Sequence, residues 1–339
     1  MLRMPDPRLF ALSECHELAT TVGQSAGLPL APLEERRFEG GEFKLRPLVS
    51  VRGCTTFVLQ ALAASDAVPT AERFVRLLFL LCGLKDAGAA QRIALVPYLA
   101  YARKDRRTQL RDPVNTRYVA QLLEAAGLDR LIALDVHNPA ALDNSFRVPV
   151  DHLSALPMMV DHFTRHLGSA PLSVVSPDVG GIKRAQIFRE MLQRSLNRQV
   201  EMAFIEKRRA QDVVSSGALV GDVANRQVIV IDDLCASGGT LVRAGELCRR
   251  ARATAVHATV THAPLAAGLA ALLAAPSLAS VVVTDSVGFG HARPAAPAAD
   301  GAKLVTLPVG PLFGAVLARM LSGKPVAPLL QRWPIPPED

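Results

Sequence analysis

The stretch Val228-Ile229-Val230-Ile231-Asp232-Asp233-Leu234-Cys235-Ala236-Ser237-Gly238-Gly239-Thr240 constrains this chain more than any other. Four consecutive β-branched residues bury side chains on both faces, which suits a strand inside a parallel sheet covered on each side. Two carboxylates follow the strand. Then comes a small-residue turn with paired glycines, and a helical pattern from Leu241 to about Arg250. A strand, a turn without Cβ bulk and a helix start form an anion site, because backbone N–H groups and the positive end of the helix point at one place. Asp232 and Asp233 suit ribose hydroxyls or a metal-bound sugar. Together these parts describe a pocket for a ribose 5-phosphate.

Short apolar strands alternate with helical stretches along the rest of the chain, as in a parallel α/β sheet. Strands are expected at Thr56–Leu59, Arg92–Val96, Leu131–Leu134, Leu172–Val175, Gln199–Ile205, Ala255–Thr261 and Ser280–Thr284. Helices are expected at Thr70–Leu84, Asn115–Ala126, Ser154–Leu167 and Gly181–Gln193, with a packed Ala/Leu helix at Ala266–Ala275. The chain has 339 residues, half of them hydrophobic, enough for two cores of ordinary size. The expected boundary near Val148–Ser154 gives domains at 1–150 and 151–320, with a tail at 321–339. The Ala/Pro/Gly-rich region Phe289–Gly301 reads as a loop.

The net charge of +7 admits nucleic acid, membrane or polyphosphate as partners. Its basic residues concentrate at Arg103–Arg111 and Lys207–Arg209, beside other site motifs, which favours small anionic substrates. Aromatics are 5%, few for stacking along a single strand, so no nucleic acid is expected. The apolar run Leu77–Leu84 is too short to span a bilayer, so no membrane is expected either. The five cysteines form no CxxC pair and read as reduced thiols. With no signal-peptide pattern at the N-terminus, the expected location is cytoplasmic.

Asp232-Asp233 followed by Ala236-Ser237-Gly238-Gly239-Thr240 resembles the phosphoribosyl pyrophosphate (PRPP) motif of type I phosphoribosyltransferases. Six further stretches narrow the resemblance to the ribose-phosphate pyrophosphokinases, or PRPP synthetases. They are Phe38–Glu42, Val51–Gly53, Pro97–Arg107, Asp135–His137, Ser176–Arg184 and Glu206–Arg209, in the family's order and at about its spacing. The resemblance covers roughly Arg8 to Arg319. It implies two similar phosphoribosyltransferase-like α/β domains, each a mostly parallel sheet flanked by helices. It also implies transfer of pyrophosphate from ATP to ribose 5-phosphate with Mg²⁺, giving PRPP and AMP.

By that resemblance Asp232 and Asp233 hold ribose hydroxyls, while Ser237, Gly238, Gly239 and Thr240 hold the 5-phosphate. Asp178, in an Asp-x-Gly-Gly turn after a strand, sits near the ribose and the cation; a helix N-cap is its plain alternative. Asp135 and His137, at i and i+2 after a strand, project to one side if the chain stays extended, and the family assigns His137 to metal and ATP. Arg103 and Lys104 serve ATP, with Lys104 standing where the family often has Gln. Phe38 stacks on adenine and Glu39 and Glu42 accept from its amine, on a hairpin that reaches into a neighbouring subunit's site. A homo-oligomer is therefore implied, dimer-based and extending to a hexamer. Lys207 and Arg209, on a polar stretch after a strand, are the implied catalytic residues.

Ala236 stands where the family often carries an acid. Two rivals share parts of the pattern: a phosphoribosyltransferase that consumes PRPP, and a catalytically silent regulatory homologue. The first has no need of Phe38–Glu42 or of two α/β halves. The presence of Lys207, Arg209, His137 and Asp178 argues against the second. Leu307–Phe313 matches the stretch where many family members carry a Ser-rich allosteric anion site. Pro308, Gly310 and Pro311 lack its donors, so phosphate independence is expected.

Overall fold

The computed structural model describes residues 6–65, 67–206, 209–210, 213–214, 217–287 and 302–330. They fall into two compact units, one built from residues 6–154, 286–287 and 308–330, the other from 155–285 and 302–307. The first unit runs β1 (Arg8–Ala11), α1 (His16–Ala26), a hairpin of β2 (Leu33–Arg37) and β3 (Phe43–Pro47), β4 (Thr55–Leu59), α2 (Thr70–Asp86), β5 (Gln91–Val96), α3 (Asn115–Ala125), β6 (Arg130–Leu134), α4 (Pro139–Ser145) and β7 (Val150–Leu153). Its main sheet has the order β1-β4-β5-β6-β7, with every pair parallel.

The second unit runs α5 (Leu156–His166), β8 (Leu172–Ser176), α6 (Ile182–Leu196), β9 (Glu201–Glu206), β10 (Arg209–Ala210), β11 (Val213–Val214), β12 (Ala218–Val220), β13 (Gln227–Leu234), α7 (Gly239–Arg250), β14 (Ala255–His262), α8 (Ala266–Ala274), β15 (Ser280–Thr284) and β16 (Leu304–Leu307). The sheet order is β12-β9-β8-β13-β14-β15-β16, and only the β12–β9 pair is antiparallel. One topology is thus used twice. The order β1-β4-β5-β6-β7 corresponds to β8-β13-β14-β15-β16, and each unit places its extra strands after the first strand and helix. This is the pair of phosphoribosyltransferase-like halves that the sequence resemblance implies.

The central strands are β-rich in composition and sealed on both faces. All five residues of β4 are buried, as are all five of β8. Phe10, Val58, Leu77, Leu81, Val96 and Leu123 belong to the first unit's core. The expected strands and helices lie where the sequence put them, with shifts at the ends. Ser280–Thr284 is exact, and the Ala/Leu helix is Ala266–Ala274.

After β16 the chain returns to the first unit with α9 (Gly310–Leu321), which packs along α1. Gly310 and Gly314, one turn apart, make the crossing close. A Cβ on Gly310 would lie 2.6 Å from a Thr21 methyl carbon, and one on Gly314 would run into Ser25.

Two local expectations change. Val228–Ile231 is the middle of a longer strand, and the carboxylates lie within β13 rather than beyond it. Pairing with β8 stops at Val230↔Val175, but pairing with β14 continues to Leu234↔His262, so one neighbour keeps the strand going. The chain is also not extended through Asp135–His137. Asp135 adopts φ +37°, its N–H bonds the Leu153 carbonyl at 3.0 Å, and the chain turns there. Asp135 is buried and His137 exposed, so the two do not share a face.

Candidate active site

In open α/β sheets ligands bind beyond the carboxyl ends of the strands. In the second unit that edge is shaped by the unequal pairing of β13. Beyond Val230 the strand overhangs β8, and the overhang carries Asp232 and Asp233. Asp233 is buried and Asp232 half-buried. Asp232 Oδ1 accepts from the Asp233 N–H at 2.9 Å. Arg184, on α6, donates through Nη1 to Asp233 Oδ1 at 3.2 Å and to Asp232 Oδ1 at 3.4 Å. Burial, and then the neighbouring Asp233 carboxyl, push the Asp232 carboxyl up to about 8, against the opposing pull of Arg184.

The turn that follows is set by packing as well as by φ. Gly238 has φ +79° and stands at the N-cap of α7, where its carbonyl accepts from the Val242 N–H at 3.0 Å. A Cβ there would be strained by φ and would lie 2.7 Å from the Gly268 carbonyl. Gly268, on α8, is equally constrained, since a Cβ on it would run into the Ala236 carbonyl. The two glycines let α8 press against the turn and fix it. Ser237 is exposed and Thr240 half-buried, at the start of a twelve-residue helix. The strand, the glycine turn and the helix start expected from the sequence are thus all present, in the order that suits an anion.

On the adjacent strand β8, Asp178 follows the carboxyl end. Its Oδ1 accepts from the Gly181 N–H at 3.1 Å, which caps the turn leading into α6. A Cβ on Gly181 would lie 2.7 Å from the Ser176 hydroxyl, so the paired glycines here also answer to close packing. Of the implied catalytic residues, Lys207 lies outside the described residues. Arg209 lies in the short strand β10, paired antiparallel with β11.

In the first unit, neighbouring strands β5 and β6 bring two of the predicted motifs side by side. The loop after β5 carries Arg103 and Lys104, both exposed. Thr116 holds it, donating through its hydroxyl to the Ala102 carbonyl at 3.3 Å. The segment after β6 carries exposed His137, and the next residue, Asn138, donates from Nδ2 to Asp105 Oδ2 at 2.6 Å. That bond ties the Arg103–Lys104 loop to the His137 segment. The tip between β2 and β3 carries Phe38, Glu39 and Glu42, all exposed, over a turn in which Gly40 and Gly41 both take positive φ. The Arg36 guanidinium lies 4.9 Å from the centre of the Phe38 ring. Among the described residues no cluster of three or more His, Cys, Asp or Glu side chains could cage a metal ion. No described helix is long and apolar enough to cross a membrane.

Sequence reasoning gave no role to Arg184, Gly268 or Asn138. Arg184 did carry a signal: a cation in the first turn of a helix opposes the macrodipole and calls for an anionic partner. Gly268 carried another, because glycine inside an Ala/Leu helix costs stability unless something packs against it. Asn138 follows a motif already singled out, and its partner becomes visible only when β5 and β6 are paired. Replacing Arg184 by Met removes the guanidinium that opposes the upward shift. In a carbon-detected NMR titration Asp232 is expected to titrate above the ordinary aspartate value of about 3.9 in the wild type, and higher still in Arg184→Met. An ordinary aspartate titration in both proteins would contradict this electrostatic picture.

Residues 7–127 match the family model described as the N-terminal domain of ribose phosphate pyrophosphokinase, and residues 159–278 match the phosphoribosyl transferase domain. A ribose-phosphate pyrophosphokinase 1 of Streptococcus pyogenes is 32% identical over 330 residues, covering 96% of this chain and 98% of the relative. A ribose-phosphate pyrophosphokinase 1 of Streptococcus pneumoniae is 33% identical over 328 residues, covering 96% of this chain and 97% of the relative. A crystal structure of phosphoribosylpyrophosphate synthetase from Mycobacterium smegmatis superposes with a TM-score of 0.82 at 29% identity, over 94% of this chain and 99% of that one. With the acidic overhang of β13 and the glycine turn already in place, these full-length similarities establish that the chain belongs to the ribose-phosphate pyrophosphokinase family.

Proposed function

We propose that this chain transfers the pyrophosphoryl group of ATP to the anomeric hydroxyl of ribose 5-phosphate. The sugar oxygen bonds to the β-phosphorus and its hydroxyl proton passes to solvent, while the bond from that phosphorus to the α–β bridging oxygen breaks and AMP leaves. The observation that carries this reading is the pairing of Asp232 and Asp233 with the Ser237–Thr240 turn at one strand end. The carboxylates accept from ring hydroxyls, and the turn's N–H groups receive the 5-phosphate. Arg103 and Lys104 serve the triphosphate. Phe38, Glu39 and Glu42 serve the adenine. Asp178 stands near the ribose.

The donor set suits Mg²⁺, which keeps waters and phosphate oxygens as its main ligands and needs no all-protein cage. His137 and Asp178 are the residues assigned to it, and the bound ion would neutralise triphosphate charge. No side chain is placed as an obligatory general base. Positioning, and charge neutralisation by Lys207 and Arg209, carry the chemistry. A homo-oligomer is proposed on the family's pattern. Incubating the protein with ATP, Mg²⁺ and ribose 5-phosphate should yield AMP and PRPP; a requirement for PRPP as substrate would instead favour the phosphoribosyltransferase reading.

Lys207→Ala and Arg209→Ala are each expected to lose about 10²–10³-fold in turnover, the cost of one donor to a developing charge, with thermal unfolding unchanged. Near-wild-type turnover in both would remove them from the catalytic step. Asp233→Asn is expected to raise the KM for ribose 5-phosphate while leaving that for ATP nearly unchanged, because an amide accepts less strongly and brings donors of its own. A defect confined to ATP would refute the sugar assignment. AMP formation is expected to proceed equally with and without added inorganic phosphate. Gly310, at the start of α9, is engaged in close packing on α1, and Pro308 and Pro311 have no N–H to offer an anion. A strict phosphate requirement would show that an anion site exists there.

A further inference from the structure

The hairpin of β2 and β3 is bound to α2 by an unusual seam. Side chains alternate along a strand, so Leu33, Glu35 and Arg37 share one face of β2. Their register partners Pro47, Leu45 and Phe43 share that face on β3. Leu33 and Leu45 pack on the first unit's core, so this face looks inward. It therefore carries a carboxylate, Glu35, between two core contacts. α2 answers with Glu72, Arg76 and Phe79, at i, i+4 and i+7, which lie along one stripe of a helix. Glu72 accepts from Arg37 Nη2 at 3.1 Å. Arg76 pairs with Glu35 through Nη2 and with Glu14 through Nη1. Phe79 meets Phe43 with ring centres 5.4 Å apart, and the Arg76 guanidinium lies 5.9 Å from the Phe43 ring centre.

Arg76 is only 7% exposed. A guanidinium that far from water is held by its partners, and its loss leaves two carboxylates facing each other in the same enclosure. Burial already pushes Glu35 upward, against Arg76 and with Glu14. Glu14 follows β1, so the pair of ion pairs joins the inserted hairpin to both a sheet strand's end and a helix. The outward face is different: Glu34 pairs with Arg46 at 2.6 Å and with Lys44 at 3.3 Å in solvent, where such contacts contribute little.

We infer that Arg76 is a positioning residue that fixes the hairpin through Glu35 and Glu14, and that through the hairpin it sets the affinity for the nucleotide. The second clause rests on the proposed role of Phe38, Glu39 and Glu42, which the hairpin carries at its tip. Glu35→Gln isolates the seam more gently than Arg76→Gln, because it leaves Arg76 balanced by Glu14 alone. Glu72→Gln is the control, because Glu72 pairs with Arg37, whose side chain is 54% exposed, and takes no part in the Arg76 ion pairs.

The test combines hydrogen exchange with steady-state kinetics on the full chain. In Arg76→Gln, amides of residues 33–47 should exchange about tenfold faster or more, while those of β5 and β6 keep their protection. The KM for ATP should rise about tenfold, with that for ribose 5-phosphate within about twofold. Glu35→Gln should show the same pattern at smaller size, and it carries the test if Arg76→Gln does not fold. Glu72→Gln should resemble the wild type. Unchanged exchange at 33–47 in both Arg76→Gln and Glu35→Gln would overturn the anchor. Faster exchange with an unchanged KM for ATP would overturn the positioning role and the hairpin's share in nucleotide binding. AMP formation in those same assays reports separately on the enzymatic reading.

Discussion

Everything at the candidate site follows from how β13 is paired. Its apolar half is sandwiched between β8 and β14 and cannot carry polar chemistry without a partner for every group. Only where β8 stops does the strand gain an open side, and there the residues change from Ile231 to Asp232 and Asp233. Two carboxylates side by side at the edge of a core repel each other. Arg184 offsets that repulsion by bridging both. The turn that follows then has no room for side chains, because α8 presses Gly268 against it. The placement of the acidic pair and the shape of the glycine turn are thus consequences of one packing arrangement.

The two copies of the repeated topology differ at this turn. β4 and its helix α2 correspond to β13 and α7, but their connections differ. After β13 the chain passes through Ser237-Gly238-Gly239 directly into a helix. After β4 it runs from Gln60 to Pro69 without a glycine, and α2 begins at Thr70. The first unit therefore has the strand and the helix but not the glycine turn, and its candidate residues lie instead on the loops after β5 and β6 and on the inserted hairpin. Arg103, Lys104 and His137 sit on those loops, held by Thr116 and by the Asn138–Asp105 bond. The same scaffold carries a glycine turn in one copy and cationic loops in the other.

Most of the fold is legible in the sequence because it rests on local signals. Apolar strands of β-branched residues and a glycine pair before a helix each have a backbone reason that needs no distant partner. What could not be read depends on pairing. The length of β13 was set by β14 continuing after β8 had stopped. The turn at Asp135 was set by a bond to Leu153 on β7. Arg76 resembled any charge on a helix until the hairpin brought Glu35 to it. The return of α9 to α1 shows only as two glycines four residues apart, which have no meaning without the facing Thr21 and Ser25.

The proposed ribose 5-phosphate site centres on β13 and the turn that follows it. A crystal structure grown with ribose 5-phosphate alone tests it most directly. The account predicts the 5-phosphate on the backbone N–H groups of residues 237–240, with ring hydroxyls at the carboxylates of Asp232 and Asp233. A sugar phosphate bound instead at the Arg103–Lys104 loop, with the glycine turn empty, would contradict it.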